Sequence, residues 1–237
     1  MFPIGDDNPT HRTAYVTYAL IGLNVLVFLH EVVLSPPQLQ AFFQSWAVVP
    51  LELTAQFNGA PITIPGTGWP EATTLITSQF LHGGWLHLAG NMLFLWIFGN
   101  NVEDRLGSVK YLLFYLACGA IAGLCQWYFA PMSSVPSLGA SGAIAGVMGA
   151  YILRYPRAAI ITLIPLGFLL IPVRIAAFWY LGIWFLQQAL YGVGSLAQPT
   201  SIGMSGGGIA YWAHAGGFVA GALLGPLLGL FGDEDDF

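Results

Sequence analysis

Six stretches of this chain are almost free of charge: approximately residues 13–34, 86–103, 109–130, 139–153, 174–193 and 209–231. Each carries at most one Asp, Glu, Lys or Arg, and that one near an end. A helix that crosses a bilayer needs about 20 mostly apolar residues, and no other feature restricts the fold so strongly. Charged residues make up 7% of the chain, against roughly 25% in soluble domains. The segments predict an all-α polytopic membrane protein, a bundle of six transmembrane helices forming one domain over residues 1–237. A short cytoplasmic N-tail is expected at 1–12. An acidic cytoplasmic C-tail, GDEDDF, is expected at 232–237. The first stretch is too long for a signal-peptide core and lacks a convincing cleavage site, so it reads as a retained helix.

The basic residues set the orientation. Arg12, Arg105, Lys110, Arg154, Arg157 and Arg174 are the only Lys or Arg in the chain. With six spans they all fall on one side, and the connections 35–85, 131–138 and 194–208 carry none. That is the positive-inside pattern. A seventh candidate, 158–172, is interrupted by Pro165 and ends at Pro172. Counting it as a span would put Arg174 opposite Arg154 and Arg157. It is therefore expected at the interface or against the bundle. Loop 35–85, with Phe42, Phe43, Trp46 and Trp69, reads as a long, partly embedded interfacial loop. The glycine-rich 201–208 has no lysine and no preceding strand, so it is a flexible connection and not a phosphate loop. Six basic residues exclude a nucleic-acid surface. Cys118 and Cys125, seven apart on one apolar helix, are expected as small packing groups.

Polar groups in a bilayer are costly and point to function unless a packing role explains them. Ser141 begins the fourth segment, and alone it reads as a packing serine. Its company changes that reading. His214 begins the sixth segment, and His87 and Asn91 begin the second. All three segments run inward, so these four groups share one depth. His87 and Asn91 are i, i+4 and share a helix face. Gly217, Gly221 and Gly225 form two successive GxxxG steps, Gly142 and Gly146 form another, and such steps let helices approach closely. The fourth helix is short: about 15 residues rise only ~22 Å, less than the roughly 30 Å hydrocarbon core. Ser141 is therefore expected at the floor of a hydrated pit.

A serine becomes a nucleophile when a base removes its proton. His214 suits that role, with no carboxylate in segments three to six to orient it, so a Ser–His dyad is expected. His87 and Asn91, with the helix N-terminus at Ser141, suit an oxyanion site. His82 and His87 are five apart with no carboxylate or Cys beside them, so no metal or other cofactor is expected.

At these residues the sequence resembles the rhomboid intramembrane serine proteases, over essentially its whole length. GASG at Gly139–Gly142 resembles the nucleophile motif. AHAGGFVAG resembles the base motif, with His214, Gly217 and Gly221. HLAGNMLFL resembles the second-helix motif, with His87 and Asn91 as oxyanion donors. GNNVEDRLGSVKYLLFY resembles the junction carrying Glu103 and Arg105, structural in that family, and His82 resembles a further histidine near the site. Two departures stand out: Ala145 replaces an aromatic residue that stacks on the base in many members, and the first loop has no Arg. The resemblance implies a serine endopeptidase cutting transmembrane segments of other membrane proteins in or near the outer leaflet. It also implies lateral access past the fifth span, near Phe178, Trp179, Trp184 and Phe185. The competing readings are a binding relative without activity, a transporter or channel, and a lipid acyl hydrolase. The lack of an Arg-rich presequence leads to an expected prokaryotic plasma membrane, with both termini cytoplasmic.

Overall fold

The computed structural model describes residues 2–65, 67–167, 169–196 and 210–232. The glycine-rich stretch 201–208 and the acidic tail after Gly232 lie outside them. Six long helices build the molecule: α1 (Tyr15–Val33), α5 (Trp85–Leu106), α6 (Ser108–Phe129), α7 (Ser141–Arg154), α8 (Ala177–Leu196) and α9 (Tyr211–Leu227). Among the described residues, only α1 and α6 are each long and apolar enough to cross a bilayer on their own composition. The 14 residues of α7 and 17 of α9 fall short in length. The polar cluster near the C-terminal end of α5, from Asn100 to Arg105, interrupts its apolarity.

The packing is turned outward in a way water would not permit. Helix α1 buries Thr17, Asn24 and Glu31 while exposing Leu23, Leu26, Leu29 and Val33. Helix α8 likewise exposes Ile183, Leu186 and Leu190 and buries Gln188. Apolar side chains outside and polar ones inside fit a hydrocarbon solvent, where the buried groups bond within the bundle. At its N-terminus α1 has no side-chain cap of its own. Glu103 of α5 supplies one, accepting the N–H groups of Val16 at 2.9 Å and Thr17 at 2.7 Å.

The centre of the bundle is α7, enclosed by α5, α6, α8 and α9. Its contact with α9 is made of glycine. A Cβ added at Gly217 or Gly221 would overlap the carbonyl oxygens of Gly142 and Gly146. Cys118 and Cys125 of α6 lie where a Cβ on Gly146 or Gly216 would sit, so they fill the groove left by missing side chains.

The loop from 35 to 84 folds into short helices: α2 (Pro36–Trp46), α3 (Pro50–Phe57) and α4 (Thr74–Thr77), the last flanked by 3₁₀ turns. Prolines open α2 and α3, where their missing N–H costs nothing. Val48 and Ser137 exchange backbone hydrogen bonds of 3.0 and 2.7 Å. The loop is thereby tied to the segment entering α7.

The all-α expectation needs correction. Strands β1 (Phe2–Asp6), β2 (Ala159–Leu166) and β3 (Leu169–Ala176) form an antiparallel sheet in that order. The segment 158–172, read above through its two prolines, is mostly a β-hairpin rich in Ile and Leu. Its prolines sit where they do least harm. Pro172 is on the edge strand β3. Pro165 lies beyond Leu163, where β2 pairs with Phe2 at the end of β1, so among the described residues its lacking N–H faces no partner on that side. The N-terminal tail is also not a free tail. Asp7 pairs with Arg174, and Asp6 accepts a hydrogen bond from Tyr151 of α7 at 2.5 Å.

Candidate active site

The approach of α7 and α9 decides the geometry. With four glycines between the two backbones, Ser141 Oγ lies 2.8 Å from His214 Nε2. Both line a cavity of about 610 Å³ with His87, Asn91 and Trp184. The cavity is walled on one side by residues 135–138, the irregular segment before α7. Ser141 is the first residue of α7, and no side chain caps that end. First-turn N–H groups without intrahelical partners carry the positive end of the helix dipole.

Gly139 has φ of +124°, and a Cβ there would sit 2.9 Å from His87 Nε2 and 3.6 Å from Ser141 Oγ. Only a residue without a side chain lets the His87 ring stand beside the serine. His87 Nδ1 accepts the Gly83 N–H at 3.4 Å. A neutral ring accepting at Nδ1 carries its proton on Nε2, the nitrogen that faces Gly139. Asn91 is buried, and its amide nitrogen has no hydrogen-bond partner among the described residues. Two candidate donors thus line the same cavity as the serine.

His82 packs edge-on against His87, ring centroids 5.1 Å apart, and its backbone N–H donates to the Glu31 carboxylate. Burial, and after it the neighbouring His87, push the His82 imidazole down to about 3, so it stays neutral. No three His, Cys, Asp or Glu side chains converge among the described residues.

Other positions named from sequence fall elsewhere. Glu103 and Arg105 are not near the serine. Glu103 stands 16 residues after His87 on the same helix, roughly 24 Å away at 1.5 Å per residue, where it caps α1. The four aromatic residues suggested to line an opening do not form one surface. Trp184 and Phe185 pack on α9, with Phe185 stacked on Phe218 at 4.7 Å. Phe178 and Trp179 are exposed near the start of α8.

One residue of the site was not found by sequence reasoning. Gln188 of α8 is buried, and its Oε1 lies 2.9 Å from His214 Nδ1. Trp184, one turn earlier, lies beside the same imidazole, centroids 5.8 Å apart. The only sequence signal was the i, i+4 spacing of the two on the span expected to border lateral access.

The site's four helices, α5, α7, α8 and α9, and the segment entering α7 all fall within residues 70–231, which match the family model for the Rhomboid domain. The chain belongs to the rhomboid family. It is a helical polytopic membrane protein. Rhomboid protein 1, mitochondrial, of Saccharomyces cerevisiae is 32% identical over 216 residues, 89% of this chain and 52% of the yeast protein. Rhomboid protease GluP of Bacillus subtilis is 47% identical over 76 residues, 32% of this chain and 14% of that protein. Presenilin-associated rhomboid-like protein, mitochondrial, of Homo sapiens is 37% identical over 93 residues, 38% of this chain and 24% of that protein. The chain spans about half the length of the yeast relative and less of the other two. The rhomboid matched across most of this chain is mitochondrial, so the expected prokaryotic plasma membrane gains no support.

Proposed function

We propose that this rhomboid is an intramembrane serine endopeptidase that cuts transmembrane segments of other membrane proteins. The observation that carries the proposal is the 2.8 Å contact between Ser141 Oγ and His214 Nε2 in the wall of a cavity. His214 takes the serine proton as Oγ attacks the scissile carbonyl. The oxyanion that forms accepts hydrogen bonds from His87 Nε2–H, the Asn91 amide and the first N–H groups of α7. His214 then passes the proton to the leaving amine, and water, activated by the same imidazole, releases the acyl group. The chain acts as one domain of six spans, α1 and α5–α9. Both termini lie on the side of the basic residues, and the cavity opens to the opposite face. Trp184, in the cavity wall on α8, borders the path of a substrate arriving from the lipid. The protease name carried by the Bacillus relative favours peptide over ester substrates.

The test is cleavage of a single-span reporter by the purified chain in liposomes. Ser141→Ala and His214→Ala each lose activity by on the order of 10³-fold or more. Cleavage by the variants at the wild-type rate would overturn the proposal.

A further inference from the structure

A histidine acts as base toward serine only in one tautomer. Neutral imidazole has one N–H and one lone pair. For Nε2 to accept the Ser141 proton, Nδ1 must hold its hydrogen, and something must accept it. In many serine hydrolases that acceptor is a carboxylate. Here, among the described residues, the imidazole's second polar contact is Gln188 Oε1, 2.9 Å from Nδ1. Ala145, fully buried on α7, offers no ring to hold His214 from that side.

We infer that Gln188 is the positioning residue of His214, its amide oxygen fixing the Nδ1–H tautomer that makes Nε2 a base. This rests on the protease reading of Ser141 and His214. Three observations converge. Gln188 is only 7% exposed, on a helix whose neighbouring positions Leu186 and Leu190 face outward at 56% and 61%. A buried amide in that setting is kept only if its polar atoms are used. Trp184 and Gln188 are i, i+4, so one face of α8 supplies both a flat contact to the ring and the acceptor for its N–H. A neutral acceptor also suits the place: it spares the site the desolvation cost that an ionised carboxylate would carry there. The amide orients the base without a buried charge.

The amide can present either end to Nδ1, and only the oxygen yields a base. The experiment reads that choice directly. The full chain is labelled with ¹⁵N-histidine, and the His214 signals are identified by their loss in His214→Ala. Wild type is expected to show Nδ1 protonated and Nε2 bare. In Gln188→Leu the preference collapses toward the opposite tautomer, and reporter turnover falls at least roughly tenfold, a part of what a base contributes, with KM nearly unchanged. Gln188→Glu, which restores an acceptor, recovers turnover and moves the acid limb of the rate profile to higher pH, because a carboxylate favours the imidazolium. An unchanged His214 tautomer in Gln188→Leu, or a Gln188→Glu profile superimposable on wild type, overturns the inference. If Gln188→Leu does not fold, the Glu variant decides alone. The two readings separate cleanly. Loss of cleavage in Ser141→Ala with an indifferent Gln188 leaves the protease and removes the positioning residue. Wild-type cleavage in Ser141→Ala removes the protease, and with it this assignment.

Discussion

Gly139 shows how a single residue without a side chain builds the site. Its φ of +124° is a region that L side chains rarely adopt, and a Cβ would press on the His87 ring at 2.9 Å. Gly139→Ala is therefore expected to displace His87 and cut reporter cleavage by roughly 10²-fold, the cost of one lost oxyanion donor. The measurement is the cleavage rate beside the melting temperature, which the change should lower far less than it lowers the rate. At this scale the sequence was most legible. Ser141, His214, His87 and Asn91 announce themselves because polar residues at one depth in apolar helices are rare. Gln188 did not, for a physical reason. A glutamine in an aromatic-rich helix carries no directional signal until the helix rotation is known, and that rotation is set by packing.

The pair α7 and α9 is the element that turns the motif into geometry. Gly221 has no room at all, since a Cβ there would overlap the carbonyl of Gly146. Gly221→Ala is expected to force the helices apart, cost about 1–3 kcal/mol and abolish cleavage by opening the Ser141–His214 contact. Gly182→Ala on α8, which meets nothing within 4 Å, is the control and should leave both melting temperature and activity near wild type. The glycine spacing was readable from sequence because close approach needs small residues every fourth position. The β-sheet was not. Pro165 and Pro172 read as helix breakers, which they are, but strand β2 pairs on one side with β3 and on the other, over Ile160–Leu163, with residues 2–6, more than 150 positions away. Pairing at that distance leaves no local periodicity to detect.

Across the whole molecule, the helices that expose apolar side chains while burying a few polar ones also enclose the cavity at Ser141. Short α7 starts well inside the bundle, residues 135–138 and the loop helices wall the space above it, and α5, α8 and α9 each add one or two polar groups. Segment length made the short helix at Ser141 legible from sequence, while the fold of loop 35–84 and the ordered N-terminus depended on long-range contacts. The central claim is that this assembly makes Ser141 a nucleophile activated by His214. It is tested most directly by treating the purified chain with a fluorophosphonate and mapping the modified peptide by mass. The account predicts phosphonylation at Ser141 in wild type, and none in Ser141→Ala or His214→Ala. Equal labelling of all three proteins, or a wild type that stays unlabelled while folded, would contradict it.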